Sequence, residues 1–597
     1  MTEASHAFAR VGSPYVSWAP IYRAIVAWTT GAGQTALQEL ARVSVTDLPT
    51  TYFHLRGRIE WTRAMAFETM GRFDLARTSL GHAISEFRQA DEIEYLAVNE
   101  AYAATADWFL GERQSMWTHE LMALSHLNAL PPTTRRTVVL RDAALFALGD
   151  ELPEAALALQ NAAVDSVESP GQRALRADAY MRRAGTLKSL GDAAGAAADV
   201  EHADLAIAAV PDERMRAWGR AELSKIRAEI VIGSDPHRAL IEIDSALRFY
   251  ETMSSAVRRS ELLVLRAKAF VARGELSNAA SSFRAAIDAL QDDRTRLVNP
   301  QDRKQAFEQQ RKAFRAAVEF EATTLSDSAE ALRMAEQGRA RGDTAKAVNP
   351  AADYGQIPDH VAVLYYATLS DRVLGWVITR TGCLPFVVPL SATDLDAAVK
   401  RFGRLVRYDA PAPRFREEMK TLGSLLPPTL TSIPNDDVIV FVVDGSLSGV
   451  PFGAILDEHR QPLIVRHPVL MAPSLSSFLI ASARLADFVP DDVLSIGDGH
   501  HPESSGLPRL PRANEEATIV AGLYPRSVLL TGDAATARRV FSVSRSIIHF
   551  AGHTIVNEEF PFLSRILLAP DPHDGDSGEV LASQIATQGF KSTKVVV

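Results

Sequence analysis

The residues with most chemical promise lie in Ser546-Ile547-Ile548-His549-Phe550-Ala551-Gly552-His553. A short apolar run bounded by turn residues reads as a buried strand of a parallel sheet. In such sheets ligands gather at the carboxyl ends of the strands, which is where this pattern leaves His553. An imidazole there can take and return a proton near neutral pH. His549 and His553 have the i, i+4 spacing of helical zinc ligands, but Phe550 stands where a metalloprotease motif needs Glu. In a strand these two positions are also too far apart to share an ion easily. His549 is therefore expected to be a core histidine, hydrogen-bonded within the sheet, and no metal site or cofactor is expected.

Other motifs carry less. Asp498-Gly499-His500-His501 follows a strand and could face the active edge, but such a stretch is more often simply a polar turn. Gly497-Asp498-Gly499 lacks the third glycine of a dinucleotide fingerprint, and no G-x-x-x-x-G-K-[ST] occurs. Gly445-Ser446-Leu447-Ser448-Gly449 has Leu where a nucleophile elbow needs Ser. Asp571–Gly578 lacks the alternation of an EF-hand and reads as a surface loop. The single cysteine, Cys383, sits in a turn with no His or basic cluster beside it to depress its pKa, and reads as a bystander.

The elements that must position His553 fall in two halves. Between residues 1 and 350 a glycine recurs at 33, 71, 111, 149, 191, 233 and 274, at intervals of 38 to 42 residues. Each is read as the turn between antiparallel helices, and repeats of this length imply a solenoid of helix pairs. In the unit at Gly274, Ala267, Ala279 and Ala286 allow close approach while Phe270 and Phe283 fill the gaps. The units at Gly71 (Ala64, Phe67, Ala76, Leu80, Ala83) and Gly191 (Ala184, Leu187, Ala196, Val200, Ala203) repeat this; the Gly149 unit is offset by one residue. The small/large spacing resembles the tetratricopeptide repeat, stretched beyond its usual ~34 residues. Helical patterning continues to Ala347, and the arginines of Glu336–Gly342 read as a solvated helix end.

From 351 to 597 the period changes. Val361–Ala367, Val373–Thr379 and Pro385–Pro389 read as a meander. Strand candidates at Val438–Val443, Val493–Ile496, Val528–Leu530, Ile547–Ala551 and Val595–Val597 then alternate with helices, which implies a mostly parallel α/β sheet.

The chain has 597 residues, 47% of them hydrophobic and 23% charged, so two or more soluble domains are expected. A net charge of −10 argues against nucleic-acid binding through phosphate neutralisation. One cysteine rules out an intrachain disulfide framework, and no 18-residue apolar stretch or leader pattern is present. A cytoplasmic protein that does not enter the membrane is the expectation.

Three stretches of the second half resemble the CHAT family, caspase-like domains commonly attached to tetratricopeptide repeats. They are Val440–Leu456 with its Asp444-Gly445 turn and Pro451-Phe452, then Met471-Ala472-Pro473-Ser474, then His549–His553 followed by Ser564–Ala569 and Gly578–Leu581. The resemblance implies a Cys–His dyad on neighbouring parallel strands, with His553 as the base. Asp444, Gly445, Asp498 and Gly552 are implied to shape turns or the substrate groove. Thr554 stands where the family has glycine. The family's nucleophile lies at the end of the next strand, whereas this sequence reaches Lys594-Val595-Val596-Val597. The expectation is a caspase-like domain truncated just before its cysteine. Two functions follow: a CHAT-type cysteine endopeptidase, inactive as the chain stands, whose repeats bind a protein or peptide; or a non-catalytic interaction scaffold with a degenerate caspase-like domain.

Overall fold

A computed structural model of the chain describes residues 2–43, 48–128, 134–167, 172–253, 255–291, 300–339, 349–407, 412–456, 461–485, 488–501, 507–557, 560–571, 577–590 and 592–597. Two compact units emerge. One comprises residues 1–275, 292–306 and 489–597; the other comprises 276–291 and 307–488.

Helix pairs build the N-terminal part, as the repeats predict. Representative pairs are Phe53–Thr69 with Phe73–Gln89, Ile93–Leu110 with Arg113–Asn128, and Arg173–Ser189 with Ala193–Ala208. The small residues do what their spacing requires: Ala64, Ala76, Ala83, Ala184, Ala196, Ala203, Ala267, Ala279 and Ala286 are fully buried. Removing bulk there lets helix axes close, and side chains such as Leu80 and Phe283 fill the remaining space.

Four of the seven turn glycines, Gly71, Gly111, Gly191 and Gly274, take the left-handed backbone expected of them, and Gly33, Gly149 and Gly233 do not. Left-handed backbone falls at Gly31, Gly71, Gly111, Glu151 and Gly191, a spacing of 40 residues each time. Gly33 lies inside the Gly33–Leu40 helix, where a Cβ would sit 2.7 Å from the Ala66 carbonyl oxygen; it serves close packing, not the turn. At the fourth turn Glu151 (φ 60°) takes the left-handed position and Gly149 still belongs to the helix before it. That displacement explains the offset unit, in which Ala156 and Ala163 are the buried residues while their neighbours Ala155 and Ala162 are not. Gly233 has no left-handed backbone either.

Among the described residues, twelve strands follow. In the second compact unit, β1 (Val361–Thr368), β2 (Val373–Thr379), β3 (Gly382–Val388), β4 (Val438–Val442) and β5 (Val469–Ala472) form a sheet of order β3-β2-β1-β4-β5. The β1-β2-β3 meander is antiparallel, and β4 and β5 add in parallel. Tyr366, Phe441 and Phe452 stack in its core, with the Tyr366 hydroxyl donating to the Leu425 carbonyl at 2.8 Å.

In the first unit, β6 (Asp492–Gly499), β7 (Arg526–Gly532), β8 (Ile547–Phe550) and β12 (Val595–Val596) form a wholly parallel sheet of order β12-β8-β6-β7. Three short strands, β9 (Thr554–Ile555), β10 (Arg565–Leu567) and β11 (Glu579–Leu581), form an antiparallel sheet of their own. No helix among the described residues is long and apolar enough to cross a membrane.

Candidate functional site

Strand β8 ends at Phe550, and Ala551-Gly552 carries the chain to His553. The turn is tight: a Cβ on Gly552 would lie 2.7 Å from the Phe550 ring. His553 is half-buried, and its Nε2 is 2.7 Å from the Pro508 carbonyl oxygen. A carbonyl can only accept, so this bond puts the proton on Nε2 and leaves Nδ1 as the basic nitrogen. The backbone carbonyl of His553 accepts from Leu567 N–H at 3.0 Å, which ties the residue to β10.

Asp498 and His501 reach the same place from the carboxyl end of β6. Both are buried, and one ligand atom from each of Asp498, His501 and His553 lies within 4.8 Å of the other two. Asp498 Oδ2 accepts the Leu510 N–H at 2.9 Å, and His501 N–H donates to Gly499 O at 2.7 Å, folding the turn back on itself. The two imidazoles meet edge to face with centroids 5.3 Å apart. His500 instead faces outward, with Nδ1 2.6 Å from Asp533 Oδ1. His549 is buried between Ser495 Oγ (3.3 Å from Nδ1) and Glu516 Oε1 (3.0 Å from Nε2), a histidine satisfied by its sheet and the helix packed on it.

Asp444 and Gly445 lie in the other compact unit, at the carboxyl end of β4. Asp444 accepts from Thr368 Oγ1 (2.6 Å) and N–H (3.2 Å) and pairs with Arg339 at 3.0 Å; Gly445 takes a left-handed φ of 50°. Arg339 is thus no solvated helix end. It lies over the Tyr365 ring at 4.6 Å, is largely buried, and donates to the Tyr366 carbonyl. Arg341 and Gly342 lie outside the described residues, as does most of the 571–578 loop.

Sequence reasoning missed the Pro508 carbonyl and the approach of His501 to His553. A backbone acceptor has no sequence signature, and Asp498-x-x-His501 is one residue pair among many until β6 and β8 pair. It also missed what holds the stretch after His553. Asn557 donates from Nδ2 to the Phe109 carbonyl (2.7 Å). Arg565, with 1% of its side chain exposed, reaches Glu112 (3.0 Å), Glu579 (2.9 Å) and the Leu110 carbonyl (3.3 Å). Phe560 packs on Trp108 and Phe109, within a core cluster shared with repeat residues Ala76, Leu80 and Phe87. The helix end at 109–112 is therefore the seat of the segment that leaves His553.

Comparison with known proteins agrees with the motif reading at the level of family. The N-terminal helix pairs are similar to several solved helical proteins. These include the apo form of the quorum sensor NprR from B. thuringiensis (14% identity, 48% of this chain and 81% of that one, TM-score 0.39). They also include the apo form of RapI (12%, 54% and 97%, TM-score 0.39) and the TPR2AB-domain:pHSP90 complex of yeast Sti1 (14%, 49% and 98%, TM-score 0.18). No curated protein matches the sequence. Residues 416–597, which carry His553 and all three motif stretches, match the CHAT domain family.

Proposed function

We propose that the α/β region is the base-bearing part of a caspase-like cysteine peptidase domain, and that the repeats present it to a protein or peptide partner. One observation carries this reading: His553, at the carboxyl end of β8, is held by the Pro508 carbonyl with Nδ1 left as proton acceptor. The thiol implied by the family resemblance would follow the β12 pattern, beyond Val597; β12 runs parallel to β8 with Val595 opposite Ile547. In that arrangement Nδ1 takes the thiol proton and the thiolate attacks the scissile carbonyl carbon. The imidazolium then returns the proton to the leaving amine, and a water deprotonated by the same nitrogen hydrolyses the thioester. Asp498 and Gly552 flank the base, and Asp444 and Gly445 shape a turn. A reducing, cytoplasmic setting suits such a thiolate.

For partner binding the repeats offer a cleft of about 300 Å³ lined by Arg141, Leu145, Leu148, Gln160, Arg182 and Thr186. Arg141 and Arg182 are already paired with Asp142 (2.9 Å) and Asp178 (2.8 Å), so the partly exposed leucines suit an apolar peptide segment, and the net charge of −10 disfavours a nucleic acid. The test is labelling by an electrophilic peptide probe of a longer polypeptide that carries the implied thiol. His553→Ala should reduce labelling about 100-fold or more; unchanged labelling would remove His553 from the mechanism.

In a second reading the region is an interaction scaffold without catalysis, and Cys383 takes no catalytic part: burial pushes its thiol pKa up to about 11, so it is not a thiolate at neutral pH.

A further inference from the structure

Asp498, His501 and His553 are a two-histidine, one-carboxylate set whose donor atoms lie within 4.8 Å of one another. We propose that this set binds a divalent transition-metal ion, with zinc as the representative, and that the bound ion blocks the proton-accepting nitrogen of His553. Metal binding itself does not rest on the peptidase reading; only its consequence for catalysis does.

Three observations carry the proposal. First, the donors are of the right kind: imidazole nitrogen and carboxylate oxygen bind zinc at ~2.0–2.2 Å, and three protein ligands with one open position is the usual form of an accessible zinc site. The donor atoms, within 4.8 Å of one another, would have to close to about 3.4 Å to share one tetrahedral ion, which needs only small side-chain rotations on the fixed backbone. Second, the outer contacts are those of a metal site. Metal-bound histidines usually donate their other ring N–H to a carbonyl or carboxylate, and His553 Nε2 donates to the Pro508 carbonyl at 2.7 Å. That fixes Nδ1 as the ligand atom. Asp498 is likewise oriented by Leu510 N–H on Oδ2. Third, the backbone under the set is rigid. The Gly499 Cα packs so closely on Leu568 and Ala569 that a Cβ would lie 2.7 Å from the Ala569 nitrogen, and His501 N–H closes a turn onto Gly499 O. Asp498 and His501 are both nearly fully buried, so they are set in place rather than waving in solvent.

The ion would take the Nδ1 lone pair that the proposed base uses, so metal and thiol proton compete for one site.

The test is titration of the full chain, stripped of metal by chelator and dialysed, with Zn²⁺ followed by calorimetry. Cobalt(II) then serves as a spectroscopic reporter. One ion per chain is expected, with affinity falling at least 10-fold in His501→Gln and in Asp498→Asn. The exposed His82→Gln should leave it unchanged. Asp498→Asn retains an oxygen for the Leu510 bond, and a thermal melt of each variant without metal controls for folding. No binding to the folded wild-type chain overturns the proposal, and so does wild-type affinity in either site variant. The same loss in His82→Gln would show binding elsewhere and overturn it as well. None of these outcomes depends on peptidase activity, so failure here leaves the peptidase reading standing, and failure of that reading leaves this one standing.

Discussion

Both compact units fasten their strands with buried charge, but they do so by different means. In the second unit the Ser328–Arg339 helix supplies both groups. Glu336 accepts from Leu475 N–H (3.0 Å), Ser476 N–H (2.8 Å) and Ser476 Oγ (2.6 Å), capping the Leu475–Leu485 helix, while Arg339 pairs with Asp444 at the end of β4. The Glu336 carboxylate takes up N–H groups that the start of that helix leaves without an intrahelical partner. In the first unit Arg565 on β10 reaches across 453 residues of sequence to Glu112. There the buried acids are less well served: Glu120 is fully buried, and neither of its carboxylate oxygens has a hydrogen-bond partner among the described residues. The sheet of the second unit has a large core of its own, whereas Phe560, Leu563 and Leu581 find theirs among repeat helices. The β6–β8 sheet has its own core around Leu494, Ile496, Leu530 and Ile548, whereas the segment that leaves His553 leans on the repeats, at residues 109–112 and at Ala76, Leu80 and Phe87.

The largest effect should come from cutting the long-range tie. Arg565→Met leaves the buried Glu579 facing an apolar side chain, which costs about 3 kcal/mol, while Glu112, 42% exposed, is screened by solvent and adds little. Urea unfolding should show that loss, and hydrogen exchange should show amides of 554–567 opening before those of the repeat helices. Uniform loss of protection, or less than about 1 kcal/mol, would mean that the segment is held by its apolar contacts instead.

Next comes pH. Burial, then the neighbouring Asp142 charge, pushes the Glu120 carboxyl up to about 8, and burial does the same to Glu68. A raised carboxyl pKa means the folded state holds a proton that the unfolded state releases. Stability from each group is therefore complete below the ordinary range near 4.5 and lost as pH climbs through about 8, at no more than about 1.4 kcal/mol per pH unit per group. Glu120→Gln should melt like the wild type at pH 5 and several degrees above it at pH 9. Equal melting temperatures at pH 9 would show that Glu120 gains a counter-charge in solution.

Gly111 is the smaller tie. Its φ of 79° is one that side chains rarely adopt, and a Cβ would lie 3.3 Å from Asn557 Nδ2. Gly111→Ala should cost about 1–2 kcal/mol, whereas Gly191→Ala, with a similar φ of 83° but nothing within 4 Å of its Cβ, should cost less. Equal costs would reduce Gly111 to a turn residue.

Much of this was legible in advance, and the reasons differ by region. The alanine spacing at 64, 76 and 83 announced close helices because a local period is written into consecutive residues. The strand leading to His553 and the family motifs were legible for the same reason. Arg339 was misread because a charge is buried only when partners far away in sequence, here Asp444 and the Tyr366 carbonyl, are brought to it. Asn557 and Arg565 were silent for that reason too, since Phe109, Leu110 and Glu112, which they reach, lie more than 400 residues earlier.

Glu151 gives the finest test of how far the repeat period governs the chain. The left-handed positions at 31, 71, 111 and 191 are glycine, and only the one at 151 carries a side chain. Left-handed backbone costs a residue with a Cβ about 1–2 kcal/mol, part of which glycine forfeits through the entropy of its unfolded state. Glu151→Gly should therefore stabilise the chain by up to about 1 kcal/mol, raising its melting temperature by a degree or two. Gly149→Ala, two residues earlier and helical, should also stabilise, because alanine is favoured there by about 1 kcal/mol. A 40-residue period is the governing rule if both substitutions stabilise. If Glu151→Gly destabilises, the turn at 151 is held by its own side chain, and the glycine at 149 is the better marker of the repeat.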